Sequence, residues 1–217
     1  MLGNFEEQVL LKITDPVVLN KHATITVPMH YKAFLSVDNK VLCRVNPCSD
    51  AKVKDLIDGK VFKENLGNQV SVILVSSNTS SMMAGWGFGN IQVNNERLKE
   101  AYRAGANGKF SVDIIDPIAL MRAFPGSTTI TLEQVRSVVS TLFHSTGTPL
   151  LAKYFANTNI SVFEISSCIQ EFRDKFYEAV KNEEMFAKLG LKLTVLSVNG
   201  IHVNEDDLEL IRERING

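Results

Sequence analysis

The sequence predicts an α+β fold, with strands gathered in the first half and helices in the second. Three observations carry that expectation. Between residues 98 and 114, apolar or small side chains occupy even positions (Leu98, Tyr102, Ala104, Ala106, Phe110, Val112, Ile114), while the odd positions are largely polar. That alternation is the period of a strand with one buried face. After Asp116-Pro117 the apolar spacing changes to that of a helix. Thr131-Leu132-Glu133-Gln134 and Ser161-Val162-Phe163-Glu164 then match the capping-box pattern that opens helices.

The expected organisation is an extension with a strand over residues 1–20, a β-rich half over 21–115 and a helical half over 116–217. In the β-rich half, Thr24–Val27, Tyr31–Val37 and Lys40–Val45 have strand composition. Asp38-Asn39 separates the last two, and both residues tolerate positive φ, so a tight hairpin is expected there. Residues 70–75 form a continuous apolar run that suits a buried strand. Gly85-Trp86-Gly87-Phe88-Gly89 is expected to be a tight turn that buries Trp86. Residues 94–103 favour a helix by propensity, but the even–odd alternation overrides it and predicts a strand. Gly105 and Gly108 are expected to mark a bulge or bend in that strand.

In the helical half, Pro117 opens a short helix running to about residue 124. A second helix carries Leu132, Val135, Val139 and Leu142 on one face, and Pro149 is expected to end or bend it near Gly147. A long helix over 165–189 presents Ile165, Ile169, Phe172, Phe176 and Val180 to the core, with a Glu171–Lys175 pair outside. Gly190 suits the left-handed position that ends such a helix. Leu191, Leu193 and Val195 then alternate as a returning strand over 191–198, and Asn204 caps a terminal helix with Glu205, Asp206 and Asp207 in its first turn.

Composition narrows the function. The 217 residues carry 23 Lys+Arg against 24 Asp+Glu, a formal charge of −1, so no net basic field draws the chain to nucleic acid. Cys43, Cys48 and Cys168 are odd in number and read as plain reduced thiols. The first residues, Met1-Leu2-Gly3-Asn4-Phe5-Glu6-Glu7, show neither a basic nor an apolar leader region, which points to the cytoplasm. The longest apolar runs fall well short of the roughly 20 residues that span a bilayer.

The sequence carries few signs of chemistry. The cluster Gly85, Gly87 and Gly89 is interrupted by Trp86 and Phe88, and no helix pattern follows to present amides to a phosphate. His22, His30, His144 and His202 show no metal-binding spacing. Cys168 sits beside the apolar stripe and reads as a core cysteine rather than an activated nucleophile. No catalytic residue, cofactor or metal ligand emerges. The one group of interest is basic: Arg97, Lys99, Arg103 and Lys109 on the outer face of the long strand. They form either a positive stripe for anionic lipid or self-association, or the ordinary charged guard of a sheet edge.

Several segments together resemble the SPFH (Band 7) family of stomatins, prohibitins and flotillins. Ile25-Thr26-Val27-Pro28-Met29-His30-Tyr31-Lys32-Ala33-Phe34-Leu35, running into Asp38-Asn39 and Lys40-Val41, looks like the family's first hairpin. Val112-Asp113-Ile114-Ile115-Asp116-Pro117 is similar to its strand ending in Asp-Pro before a short helix. Gly190-Leu191-Lys192-Leu193, then Val198-Asn199-Gly200-Ile201, resembles its ending of strand, small loop and helix. The Trp86-Gly87 element is most similar to the bacterial and viral branch called virion-core-protein-like. The resemblance covers about residue 20 onward and implies an SPFH-like fold, no catalytic residues and no cofactor. It also implies assembly into homo-oligomers, peripheral to a membrane. The sequence departs from the family in lacking an N-terminal hydrophobic anchor, an early cysteine for acylation and a coiled coil after the last helix. The alternatives are a phage- or virus-related structural or host-interaction protein of the same fold, and a small-ligand or nucleotide-binding protein centred on the segment from Gly85 to Gly89.

Overall fold

The computed structural model describes residues 8–216, and the chain is α+β, with antiparallel strand pairs and helices. The beginning of the expected N-terminal extension, residues 1–7, lies outside the described residues. The strands are β1 (Val9–Ile13), β2 (Val17–Val18), β3 (Thr24–Val27), β4 (Tyr31–Val37), β5 (Lys40–Val45), β6 (Cys48–Lys52), β7 (Gln69–Ser76), β8 (Ala84–Asn95), β9 (Glu100–Ile114), β10 (Thr129–Thr131) and β11 (Leu191–Val203). The helices are α1 (Val53–Leu56), α2 (Gly59–Glu64), α3 (Pro117–Ala123), α4 (Leu132–Ala156), α5 (Ile169–Val180), α6 (Glu184–Lys188) and α7 (Glu205–Asn216). Two compact units result, each assembled from three stretches of chain. The first takes the described residues through Met82 with Asp113–Gln134 and Ala187–Lys192; the second takes Met83–Val112, Val135–Phe186 and the described residues from Leu193.

In the first unit the main sheet has the order β10-β1-β7-β4-β5, with β2 also on β7, and β3 pairs separately with β6. The β4–β5 hairpin closes through Asp38 at φ 48° and Asn39 at φ 62°, the left-handed pair that the sequence predicts. The apolar run at 70–75 lies within β7 and is largely buried, because β7 is the strand flanked by β1 and β4. Leu35, Ile73 and Ala33 are fully buried. Thr131 and Gln134 form the predicted capping box: the Thr131 amide donates to Gln134 Oε1 at 2.8 Å, and the Gln134 amide to Thr131 Oγ1 at 3.4 Å. At α3, Asp116 Oδ1 accepts from the amides of Ile118 and Ala119, with Pro117 in the first turn. Gly190, at φ 65°, turns its carbonyl to the amides of Ile115 and Asp116, and any Cβ there would overlap the Asp116 oxygen. The predicted glycine is therefore fixed twice, by conformation and by contact.

The second unit is built on the three-stranded sheet β11-β9-β8. Its inner face carries an aromatic cluster. Ring centroids lie 5.1 Å apart for Trp86 and Phe176, 5.2 Å for Phe110 and Phe143, and 5.4 Å for Phe143 and Phe176. Edge-to-face pairs of this kind add roughly 0.5–1.5 kcal/mol each beyond the apolar area that they bury.

Several expectations are corrected from β8 onward. The segment Gly85-Trp86-Gly87-Phe88-Gly89 is not a tight turn: it is the first half of β8, with Ala84, Trp86 and Phe88 buried and the glycines exposed. Residues 94–103 are not one strand, since β8 ends at Asn95 and β9 begins at Glu100. The intervening turn brings Lys99 to φ 55°. The bulge falls on β8, between Phe88 and Ile91, and Gly105 of β9 lies across from it, so close that a Cβ would sit 2.6 Å from the Phe88 oxygen. Gly108 is needed for another reason, because a Cβ there would overlap the backbone oxygen of Ser197 on β11.

Next, of the two expected outcomes at Pro149, an end to the helix does not occur, since α4 continues to Ala156. Leu142 and Phe143 before the proline and Leu151 and Phe155 after it are all buried, so packing on both sides outweighs the missing hydrogen bond. The expected helix over 165–189 is a 3-10 segment (Val162–Cys168) followed by α5 and α6. Its predicted cap fails because Ser161 is engaged elsewhere: Ser161 Oγ donates to Glu100 Oε1 at 2.7 Å, and the Val162 amide to Glu100 Oε2 at 3.0 Å. Finally, β11 runs on to Val203 through the expected loop at Val198-Asn199-Gly200-Ile201. Its alternation slips at Val195, which is 42% exposed while Leu193 and Leu196 are buried. Asn204 does cap α7, its Oδ1 accepting from the Asp207 amide at 3.3 Å.

Candidate functional site

The feature with most to offer is the open side of the β8 strand. In the order β11-β9-β8, β8 is one of the two outer strands. Two side-chain contacts on β9 fix which of its main-chain groups face outward. The Lys109 amide donates to Ser197 Oγ at 3.1 Å, and the Lys109 oxygen accepts from the same hydroxyl at 3.3 Å, so both groups turn toward β11. Opposed residues of an antiparallel pair exchange both bonds or neither. Gly85, the partner of Lys109, therefore directs its own N–H and C=O away from β9.

Arg103 gives the same result beyond the bulge. Its amide donates to Asp207 Oδ2 at 2.7 Å, and its oxygen accepts from the Asn204 amide at 2.9 Å. Gln92, opposite Arg103, thus also faces outward. By alternation Gly87 and Asn94 do the same. All four residues are exposed. The outer edge is consequently lined by two glycines and two carboxamides, with Gln92 Nε2 donating to Asn94 Oδ1 at 3.2 Å. From Ala84 to Asn95 the strand contains no Asp, Glu, Lys, Arg or Pro. It therefore lacks the charges and prolines that usually blunt an edge, and the bulge is its one interruption.

The predicted basic stripe is not assembled. Arg97 and Lys99 lie in the β8–β9 turn rather than on a strand face. Arg97 Nη1 donates to Asn159 Oδ1 at 3.4 Å, and the Lys99 oxygen accepts from Arg214 Nη1 at 3.1 Å. Arg103 is committed to α7: its Nε donates to Asp207 Oδ2 at 2.9 Å and its Nη2 to Asp207 Oδ1 at 2.9 Å. Those hydrogen bonds hold the Asp207 carboxyl below the usual carboxylate range and raise Arg103 further. Lys109 is exposed, about 20 Å farther along β9 at the usual rise per residue. Of the predicted turn residues, Gly85, Trp86 and Gly87 all belong to β8, with the Trp86 Nε1 donating to the Ser197 oxygen at 3.2 Å.

Sequence reasoning missed a cleft of about 500 Å³ beside α4 and α5, lined by Leu150, Lys153, Tyr154, Asn157, Glu171 and Lys175, among others. Tyr154 donates its hydroxyl proton to Glu171 Oε2 at 2.8 Å, and Lys175 Nζ lies 3.5 Å from Glu171 Oε1. Burial, then the Glu171 hydrogen bond, pushes the Tyr154 phenol well up, so it stays protonated. These groups satisfy one another. Nearby, burial also raises the Cys168 thiol, which donates to the Ile165 oxygen at 2.9 Å. That environment disfavours the thiolate.

Among the described residues no group of three or more His, Cys, Asp and Glu side chains could hold a metal ion, and no helix is long and apolar enough to cross a membrane. No protein-family model and no curated protein matches the chain.

Proposed function

We propose that the chain is a non-enzymatic, self-associating scaffold of the SPFH type, acting in the cytoplasm and at the periphery of a membrane. The observation that carries this reading is the uncharged outer edge of β8, where main-chain donors and acceptors of Gly85, Gly87, Gln92 and Asn94 face away from their own sheet. Such an edge is a template for another strand. The order of elements supports the SPFH assignment: a long strand, Asp116-Pro117 opening a short helix, Gly190, a returning strand and a terminal helix.

Sedimentation velocity across micromolar concentrations, combined with flotation on phosphatidylserine vesicles, tests the reading. It expects concentration-dependent association, with vesicle binding weak because the net charge is −1. A strict monomer that ignores the vesicles would refute it.

A further inference from the structure

Gly89 belongs to the β8 bulge, but close packing within the chain does not demand the in-register glycines Gly85 and Gly87. A Cβ at Gly105 would sit 2.6 Å from a backbone oxygen, and one at Gly108 would overlap another, so close packing demands those two glycines. On β8 the same test gives the opposite result. The nearest atom to a Cβ on Gly85 is the Gly108 oxygen at 4.0 Å; on Gly87 it is Asn107 Cβ at 3.5 Å; on Gly89 there is nothing within 4 Å. None of the three has a positive φ. Glycine weakens a strand interior, and away from bulges and bends it often marks the close approach of a ligand or of another backbone.

The spacing of the outward groups identifies what approaches. The bulge shifts the outward set from odd positions, Gly85 and Gly87, to even ones, Gln92 and Asn94. A two-fold axis at Gly89-Asn90 maps this set onto itself. It places Gly85 opposite Asn94 of a second copy, and Gly87 opposite Gln92 of a second copy. Each pair then has N–H and C=O groups facing each other, as an antiparallel ladder requires. Each glycine leaves room beside the longer amide that it meets. With no charged residue in β8, the two copies meet without like-charge repulsion. The contact is isologous and closes on itself.

We infer that β8 pairs antiparallel with β8 of a second copy of this chain about a two-fold axis at Gly89-Asn90, joining two three-stranded sheets into one. This rests on the self-association reading above and specifies its contact.

The test uses the full chain and two variants in sedimentation velocity, with circular dichroism as the folding control. Gln92→Pro removes an outward amide that β9 does not use, so the fold is retained while one inter-copy bond per copy, two per dimer, is lost. Gly87→Lys adds a bulky charge at the edge and serves if the proline variant misfolds. The expected result is a self-associating wild type whose dimer dissociation constant rises at least tenfold in either folded variant. Oxidation of Gly87→Cys/Gln92→Cys should also trap a covalent dimer that neither single cysteine variant gives. A wild type that associates equally well with both substitutions overturns the β8 contact and leaves self-association standing. A wild type that is monomeric throughout overturns both.

Discussion

Arg103 and Asp207 join β9 to α7 through three hydrogen bonds: from the Arg103 amide at 2.7 Å, Nε at 2.9 Å and Nη2 at 2.9 Å. The arginine side chain thereby serves to position a helix, and the sheet edge rather than a cationic stripe is left as the feature turned outward.

Asp207→Asn should loosen α7. Because the folded carboxyl titrates below its unfolded value, its stabilisation is present above the ordinary carboxylate range and is lost as pH falls through the lowered folded value. Protection factors across α7 should fall in the variant at neutral pH, and the wild type's should fall toward the same values in acid. Equal exchange in both proteins at neutral pH would count against the clamp.

Glu100 is 7% exposed and accepts from Ser161 Oγ and the Val162 amide. Glu100→Ala leaves both donors without their partner and should destabilise the protein by about 2–3 kcal/mol in urea unfolding. Glu100→Gln, which keeps one acceptor, should lose less. A ranking in the reverse order would contradict this account of how the 3-10 segment begins.

Gly147 of α4 and Gly89 of β8 make a matched pair. A Cβ on Gly147 would strike the Phe88 ring, whereas one on Gly89 meets nothing within 4 Å. Gly147→Ala should therefore cost about 1–3 kcal/mol. Gly89→Ala should be neutral, or stabilising by up to about 1 kcal/mol, in the separated chain. Denaturant midpoints at low protein concentration decide the comparison.

Pro149 is exposed inside α4. Pro149→Ala restores an amide that can reach the Ser145 oxygen, and should raise stability by about 1 kcal/mol or more. A lower melting temperature for the variant would show that the proline fits its site better than the helix rule allows.

What the sequence made legible was local. Asp38-Asn39, Gly190 and Asn204 each signal a conformation through their own chemistry, and each is found in it. The strand at 85–89 was legible in principle, since Gly-Trp-Gly-Phe-Gly alternates with period 2, but glycine's low strand propensity argued against it. Long-range partners left no local trace. Glu100 takes Ser161 away from its predicted cap across a separation of 61 residues, and Asp207 claims Arg103 across 104. Pro149 looked like a stop because the burial of Leu151 and Phe155 beyond it depends on the whole unit. The outer edge of β8 was invisible for the same reason, because its direction follows from Lys109 and Arg103 turning their backbones the other way.

The claim of self-association is tested most directly by the sedimentation of the unmodified chain over a hundredfold concentration range about the micromolar. The account predicts that the weight-average mass climbs above the 24.1 kDa of one chain as concentration rises. A single boundary that stays at that mass throughout would contradict it.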